Sequence, residues 1–164
     1  MKAKILISAC LLGDRVRYDG DDNGVDSVIL RQWQMEGRLV SVCPEVAGGL
    51  SIPRAPAEVQ HGDGHQVIHG YAQIITVAGD DVTKAFLRGA QLALSRANEH
   101  GCRFAVLAAR SPSCGNDGIY DGTFSHKLVA GMGVTAALLT EHHIEVFNQS
   151  QIAQLADRLA ELEA

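Results

Sequence analysis

Three cysteines stand where apolar runs give way to turn-forming residues. Cys10 comes two positions after "KILIS" (residues 4–8), and Cys43 directly follows "RLVSV" (38–42). Cys114 lies in "ARSPSCGNDGIYDGTF" (109–124), six residues beyond "FAVLA" (104–108). Around them are groups that move protons or approach ligands: Glu45 two residues after Cys43, Ser111 and Ser113 beside Cys114, and Gly48 and Gly49, which would let backbone come close to a ligand. Pro112 stiffens the third loop and Gly115 permits a tight turn.

Three thiols gathered in one place are metal donors, because converging thiolates repel one another and stay protonated unless a cation neutralises them. Structural zinc takes four protein donors, usually from C-x-x-C pairs, and the chain has no such pair. A [4Fe–4S] cluster normally takes four cysteines, so three would leave one iron open as a Lewis acid. A phosphatase-like use of Cys10 needs five residues between the thiol and an arginine; four separate it from Arg15 and six from Arg17. The plainer readings stay open at this stage: Glu45 as a solvated loop carboxylate, the serines as turn formers, and Arg15, Arg17, Tyr18 and Asp19 as ties within the first loop.

For the three thiols to meet, the strands before them must lie side by side. The apolar runs at 4–8, 38–42, 104–108 and 144–147 read as buried strands. Between and after them, helical periodicity covers 25–36, the segment from Asp80 and Asp81 to Gly101, residues 133–142 and the stretch after 149. Strands alternating with amphipathic helices predict an α/β fold, a mostly parallel sheet flanked by helices in a Rossmann-like three-layer sandwich. In such sheets ligands gather at the carboxyl ends of the strands, the rim that carries Cys10, Cys43 and Cys114. Cys102 precedes its strand, so it belongs to the opposite rim and reads as structural. Trp33 and Met35 read as core packing. "HQVIHGYAQIITV" (65–77) reads as one or two strands turning at Gly70, which makes His61, His65 and His69 parts of an exposed loop and hairpin.

With 164 residues, 46% hydrophobic and 20% charged, the chain reads as one domain over residues 1–164. No apolar run has the length of a membrane span, and "MKAKILISAC" lacks a secretory signal, so a cytoplasmic protein is expected. Net charge is −5 and the 14 basic residues are scattered, which argues against large nucleic acids as partners. Oligomeric state is not specified by these features.

"SACLLGDRVRYDG" (8–20), "CPEVAGGLSIPRAPAE" (43–58), "DVTKAFLRGA" (81–90), "ARSPSCGNDGIYDGTF" (109–124) and "GVTAALL" (133–139) together make the chain resemble a bacterial domain-of-unknown-function family that includes the [4Fe–4S]-dependent thiouracil desulfurases. The resemblance implies a cluster held by Cys10, Cys43 and Cys114. It also implies a catalytic acid at Glu45, and at Ser111 a serine that assists both substrate binding and proton transfer. The implied reaction is non-redox hydrolysis of the C–S bond of a thiolated pyrimidine, a small-molecule substrate, to the oxo base and sulfide. Where relatives often carry lysine two residues before that serine, this chain has Ala109. The alternative is a non-catalytic iron–sulfur or zinc module that senses redox state or binds a small ligand through the same cysteines.

Overall fold

The computed structural model describes residues 2–163. In chain order the elements are β1 (Ile5–Ser8), α1 (Val28–Met35), β2 (Leu39–Val42), α2 (Pro44–Ala47), β3 (Ala57–Gln60), α3 (Gly64–Ile68), β4 (Gln73–Thr76), α4 (Thr83–Glu99), β5 (Phe104–Leu107), β6 (Ile119–Tyr120), β7 (Leu128–Val129), α5 (Val134–Glu141), β8 (Glu145–Asn148) and α6 (Ile152–Glu163).

The main sheet has the order β2-β1-β5-β8 with every pair parallel. Its two central strands, β1 and β5, are buried along their whole length, which is why they read as continuous apolar runs. The register sets Ile5 opposite both Leu39 and Phe104. From β1 the chain steps one way to β2 through α1; from β2 it steps the other way to β5 through α4, and onward to β8 through α5. Right-handed crossovers therefore put α1 on one face and α4 and α5 on the other. α6 packs beside α1, and α4 beside α5. The fold is α/β, as the alternation of elements predicts. Because the connections after β1 and β5 depart in opposite directions, a crevice opens between their carboxyl ends, the place where such sheets bind ligands.

Two smaller units extend this frame. β3 and β4 form an antiparallel pair and β6 and β7 another. The expected loop and hairpin over 61–77 is corrected: residues 64–68 are a helix, started by Asp63 and Gln66 in a reciprocal capping box. Gly64, the first residue of this helix, lies where a side chain would collide with the Gly133 carbonyl, 2.3 Å from its oxygen. Strand β4 follows only after Gly70. Met35 is also corrected, being 85% exposed while Leu30 and Trp33 are buried. Five residues beyond Leu30 on a 100° spiral, Met35 falls on the far side of α1. Among the described residues no helix is long and apolar enough to cross a membrane.

Candidate active site

Each strand that ends at the crevice hands its chain to a tight local structure. After β1 the backbone turns through a 3-10 segment, Ala9–Leu12, which closes at Gly13 with φ of +96°. The loop then folds back: the Asn23 N–H donates to the Cys10 carbonyl at 2.9 Å and the Asn23 side-chain amide donates to the Cys10 sulfur at 3.6 Å. Arg17 ties this loop down, donating to Asn23 Oδ1 at 3.2 Å and pairing with Asp19 at 3.4 Å.

After β2, Cys43 is the residue before α2, with Pro44 at the first helical position and Glu45 in the first turn. One Glu45 oxygen lies 3.4 Å from Arg54 Nε. Arg54 is itself buried and donates to the Val16 carbonyl at 2.9 Å and the Ser51 carbonyl at 3.1 Å, so it holds the carboxylate against both neighbouring loops. The glycine at 48 serves a different purpose from the one expected. A Cβ there would stand 2.0 Å from the Ala85 carbonyl oxygen, and one on Gly89 would stand 1.9 Å from that of Pro44. Gly48 thus permits α2 to lie backbone-to-backbone on α4; its close approach is to a helix, not to a ligand.

After β5, Ser111 folds the loop through its side chain. Its Oγ accepts the backbone N–H groups of Ser113 at 3.0 Å and Cys114 at 3.1 Å. The loop lies over the start of α5, whose first free N–H groups, on Val134 and Thr135, donate to the carbonyls of Pro112 and Ser113. Ser113 is fully buried and shares a 2.6 Å hydrogen bond with Thr135.

These three loops enclose one cavity of about 610 Å³, lined by Cys10, Cys43, Cys114, Glu45 and Ser111 together. The five side chains singled out in the sequence meet there. Cys102 does not; it packs in the core at the other end of β5. A larger, shallower depression of about 840 Å³ around His61, Asp63 and His65 shares no lining residue with this cavity.

Burial pushes all three thiols of the cavity up from their ordinary range, Cys114 most of all. Glu45 and the other two cysteines raise Cys114 further, so the four groups share one electrostatic neighbourhood. Burial raises the Glu45 carboxyl too, against the pull of Arg54 and of the Ser111 hydroxyl. Arg54 beside Glu45 and Arg17 near Cys10 pull the other way, but burial prevails at all three thiols, which a bound cation would bring to their ionised form.

The donor set discriminates between cations. A tetrahedral zinc ion needs its sulfurs about 3.8 Å apart, given Zn–S bonds of about 2.3 Å. Among the described residues no three His, Cys, Asp or Glu side chains can hold a single metal ion. Three soft thiols spread around one cavity fit a polynuclear iron–sulfur centre better.

Several residues that the sequence reading passed over complete the cavity. Ser8, the lone polar residue in an otherwise apolar strand, is buried and donates its hydroxyl hydrogen to the Cys114 sulfur at 3.6 Å. Glu58, Tyr120 and His126 line the same space. Ser8 had a signal in the polar end of "KILIS"; the other three, distant in sequence and outside the main sheet, had none.

Fold and site together define an α/β protein with a thiol-lined cavity at a topological switch point. A sequence model of the 2-thiouracil desulfurase family matches residues 5–151, and the chain belongs to that family. It is 41% identical over 148 residues to YbbK of Bacillus subtilis (strain 168), an uncharacterized protein, across 90% of this chain and 97% of that one. Among solved structures it is similar to the [4Fe–4S]-dependent thiouracil desulfidase TudS, at 47% identity and a TM-score of 0.89, covering 97% of this chain and 99% of TudS.

Proposed function

We propose that this chain, residues 1–164 acting as one domain, is a cytoplasmic iron–sulfur enzyme that hydrolyses the C–S bond of a thiolated pyrimidine such as 2-thiouracil. Thione and water become the oxo base and hydrogen sulfide, with no net transfer of electrons. The observation that carries this reading is the meeting of three thiols from three separate strand ends with the Glu45 carboxyl and the Ser111 hydroxyl in a single cavity. The family match and the 47% identity to TudS support it.

Cys10, Cys43 and Cys114 would hold a [4Fe–4S] cluster. When bound, it supplies an open iron, a soft Lewis acid that draws electron density from a thiocarbonyl carbon. Glu45, held by Arg54, takes a proton from the attacking water at its carboxylate. Ser111 has a defined part in this. Its oxygen already accepts two backbone N–H groups, so its own hydrogen is what it has to offer. It therefore donates, either to the Glu45 carboxylate or to the ring edge of the substrate, and relays a proton between them. Neither net charge nor charge distribution provides a footprint for large nucleic acids, and a small molecule is the partner that a cavity of this size accommodates.

The test is anaerobic purification, assay of iron and acid-labile sulfide, and incubation with 2-thiouracil while the thione absorption is followed. Brown protein with about four irons per chain, loss of the thione band and release of sulfide are expected. Protein that stays inert after anaerobic cluster reconstitution would overturn the reading.

A further inference from the structure

We propose that the β6–β7 hairpin is the ring-recognition wall of the cavity: Tyr120 and His126 contact the heteroaromatic ring of the substrate, and Glu58 positions them. This rests on the desulfurase reading above. The thiols and Glu45 address the thiocarbonyl and the attacking water, and Ser111 offers a single hydrogen bond to a polar edge, so together they would act on any thioamide that reached them. Preference for a planar ring has to come from another part of the cavity.

Tyr120 and His126 supply such a surface. Both line the cavity, with ring centroids 5.8 Å apart and planes at 85°, the edge-to-face arrangement that aromatic pairs prefer. A third ring inserted beside them gains the same kind of contact on its apolar faces, while its polar edge stays free for Ser111.

The hairpin is built to hold this pair still. Asp121 N–H donates to the Lys127 carbonyl at 2.9 Å across its neck. Glu58 on β3, buried although charged, accepts the N–H groups of Gly122 at 2.9 Å and Phe124 at 3.2 Å on one carboxylate oxygen. Gln60, also on β3, donates to the Gly122 carbonyl at 2.8 Å. Between these anchors the backbone takes conformations that residues with side chains avoid, φ of +56° at Phe124 and +61° at His126. A buried carboxylate committed to a loop, and a loop held in an unfavourable conformation, are features that persist where geometry serves a site. Shortening Glu58 to alanine leaves both amides without their acceptor and frees the wall.

The experiment compares cluster-loaded wild type with Tyr120→Leu, Tyr120→Phe, His126→Ala and Glu58→Ala, using 2-thiouracil and the acyclic thioacetamide. Uracil binding is titrated in parallel as a readout independent of turnover. For 2-thiouracil, KM and the uracil Kd rise about three- to ten-fold in Tyr120→Leu and His126→Ala while kcat stays within about two-fold, and Tyr120→Phe keeps both constants. Glu58→Ala moves KM the same way with iron content unchanged. Constants for thioacetamide do not move in any variant. Unchanged KM and Kd in the aromatic variants, or a rise in Tyr120→Phe equal to that in Tyr120→Leu, would overturn the proposal and leave the desulfurase reading intact. A wild type that neither turns over 2-thiouracil nor binds uracil would sink both.

Discussion

The hydroxyl of Ser8 donates to the sulfur of Cys114 across 3.6 Å, and the same oxygen accepts the Ala108 N–H at 3.0 Å. The last residue of β1 thereby fixes the exit of β5 and the thiol beyond it. Ser8→Ala removes both links inside the core and leaves a backbone amide without a partner. The expected cost is about 1–3 kcal/mol, read from urea denaturation of the metal-free protein. Loss of the donor to Cys114 also speeds the release of iron to a chelator. Equal denaturation midpoints and equal iron half-lives in mutant and wild type would remove Ser8 from the site.

The four cysteines divide cleanly in their expected phenotypes. Substituting Cys10, Cys43 or Cys114 by serine removes one donor from the cavity, and the purified protein then retains little iron or labile sulfide. Cys102→Ser lies in the core at the opposite rim and keeps the wild-type iron content. An iron and sulfide assay on all four variants decides the point. Normal loading in any of the first three contradicts the assignment.

Much of this arrangement is legible in the sequence because it follows from strand ends. Apolar runs of four or five residues mark the parallel strands. In a parallel sheet the residues just after them share a rim, so Cys10, Cys43 and Cys114 could be brought together on paper. Glu45 and Ser111 ride on the same loops. What the sequence conceals is contact between segments that share no periodicity. The capping box of Asp63 and Gln66 was hidden by the glycines around it, although their spacing is that of a helix start. The role of Gly48 depends on Gly89, forty-one positions away and on another helix. Glu58 acquires a role only when β3 places it against the β6–β7 loop, more than sixty positions further along the chain.

The contact between Gly48 and Gly89 is itself testable. A methyl group on Gly89 would meet the Pro44 carbonyl oxygen at 1.9 Å, so Gly89→Ala must push α2 off α4. α2 starts directly after Cys43 and carries Glu45. Beyond a destabilisation of about 1–3 kcal/mol from overpacking, measured by thermal or urea unfolding, the variant should hold iron poorly because one donor has shifted. A stable variant with full iron content would show that α2 need not sit where it does.

Glu45→Gln separates an enzyme from a binding module. Gln keeps the size of the side chain and one acceptor near Arg54 but cannot take a proton. Cluster content should stay at the wild-type level while turnover of 2-thiouracil falls about 10²- to 10⁴-fold, the range typical for loss of a general base. Ser111→Ala should lower turnover too, and it also unties the Cys114 loop, so its iron content is expected to drop with its activity. Undiminished turnover in Glu45→Gln would leave the carboxylate with a structural role alone.

Two histidines of α3 and its C-terminal end meet one carboxylate at the end of α5. His65 Nδ1 lies 2.8 Å from a carboxylate oxygen of Glu141 and His69 Nε2 lies 3.4 Å from the same atom, joining the two helices. The hydrogen bond from His65 is the main reason that the Glu141 carboxyl sits below its ordinary range. A carboxyl depressed in the folded state binds its proton more readily when unfolded. Its contribution to stability is therefore present above the unfolded value, about 4.3, and is lost as pH falls through the folded one. Urea midpoints of the wild type should decline between about pH 5 and pH 3 more steeply than those of Glu141→Gln, which lacks this titration, and the two curves should approach each other at the acid end. Both histidines and the carboxylate are partly exposed, so the separation is modest and shrinks with added salt. Parallel curves over the whole range would mean that the helix contact is maintained without the ion pair.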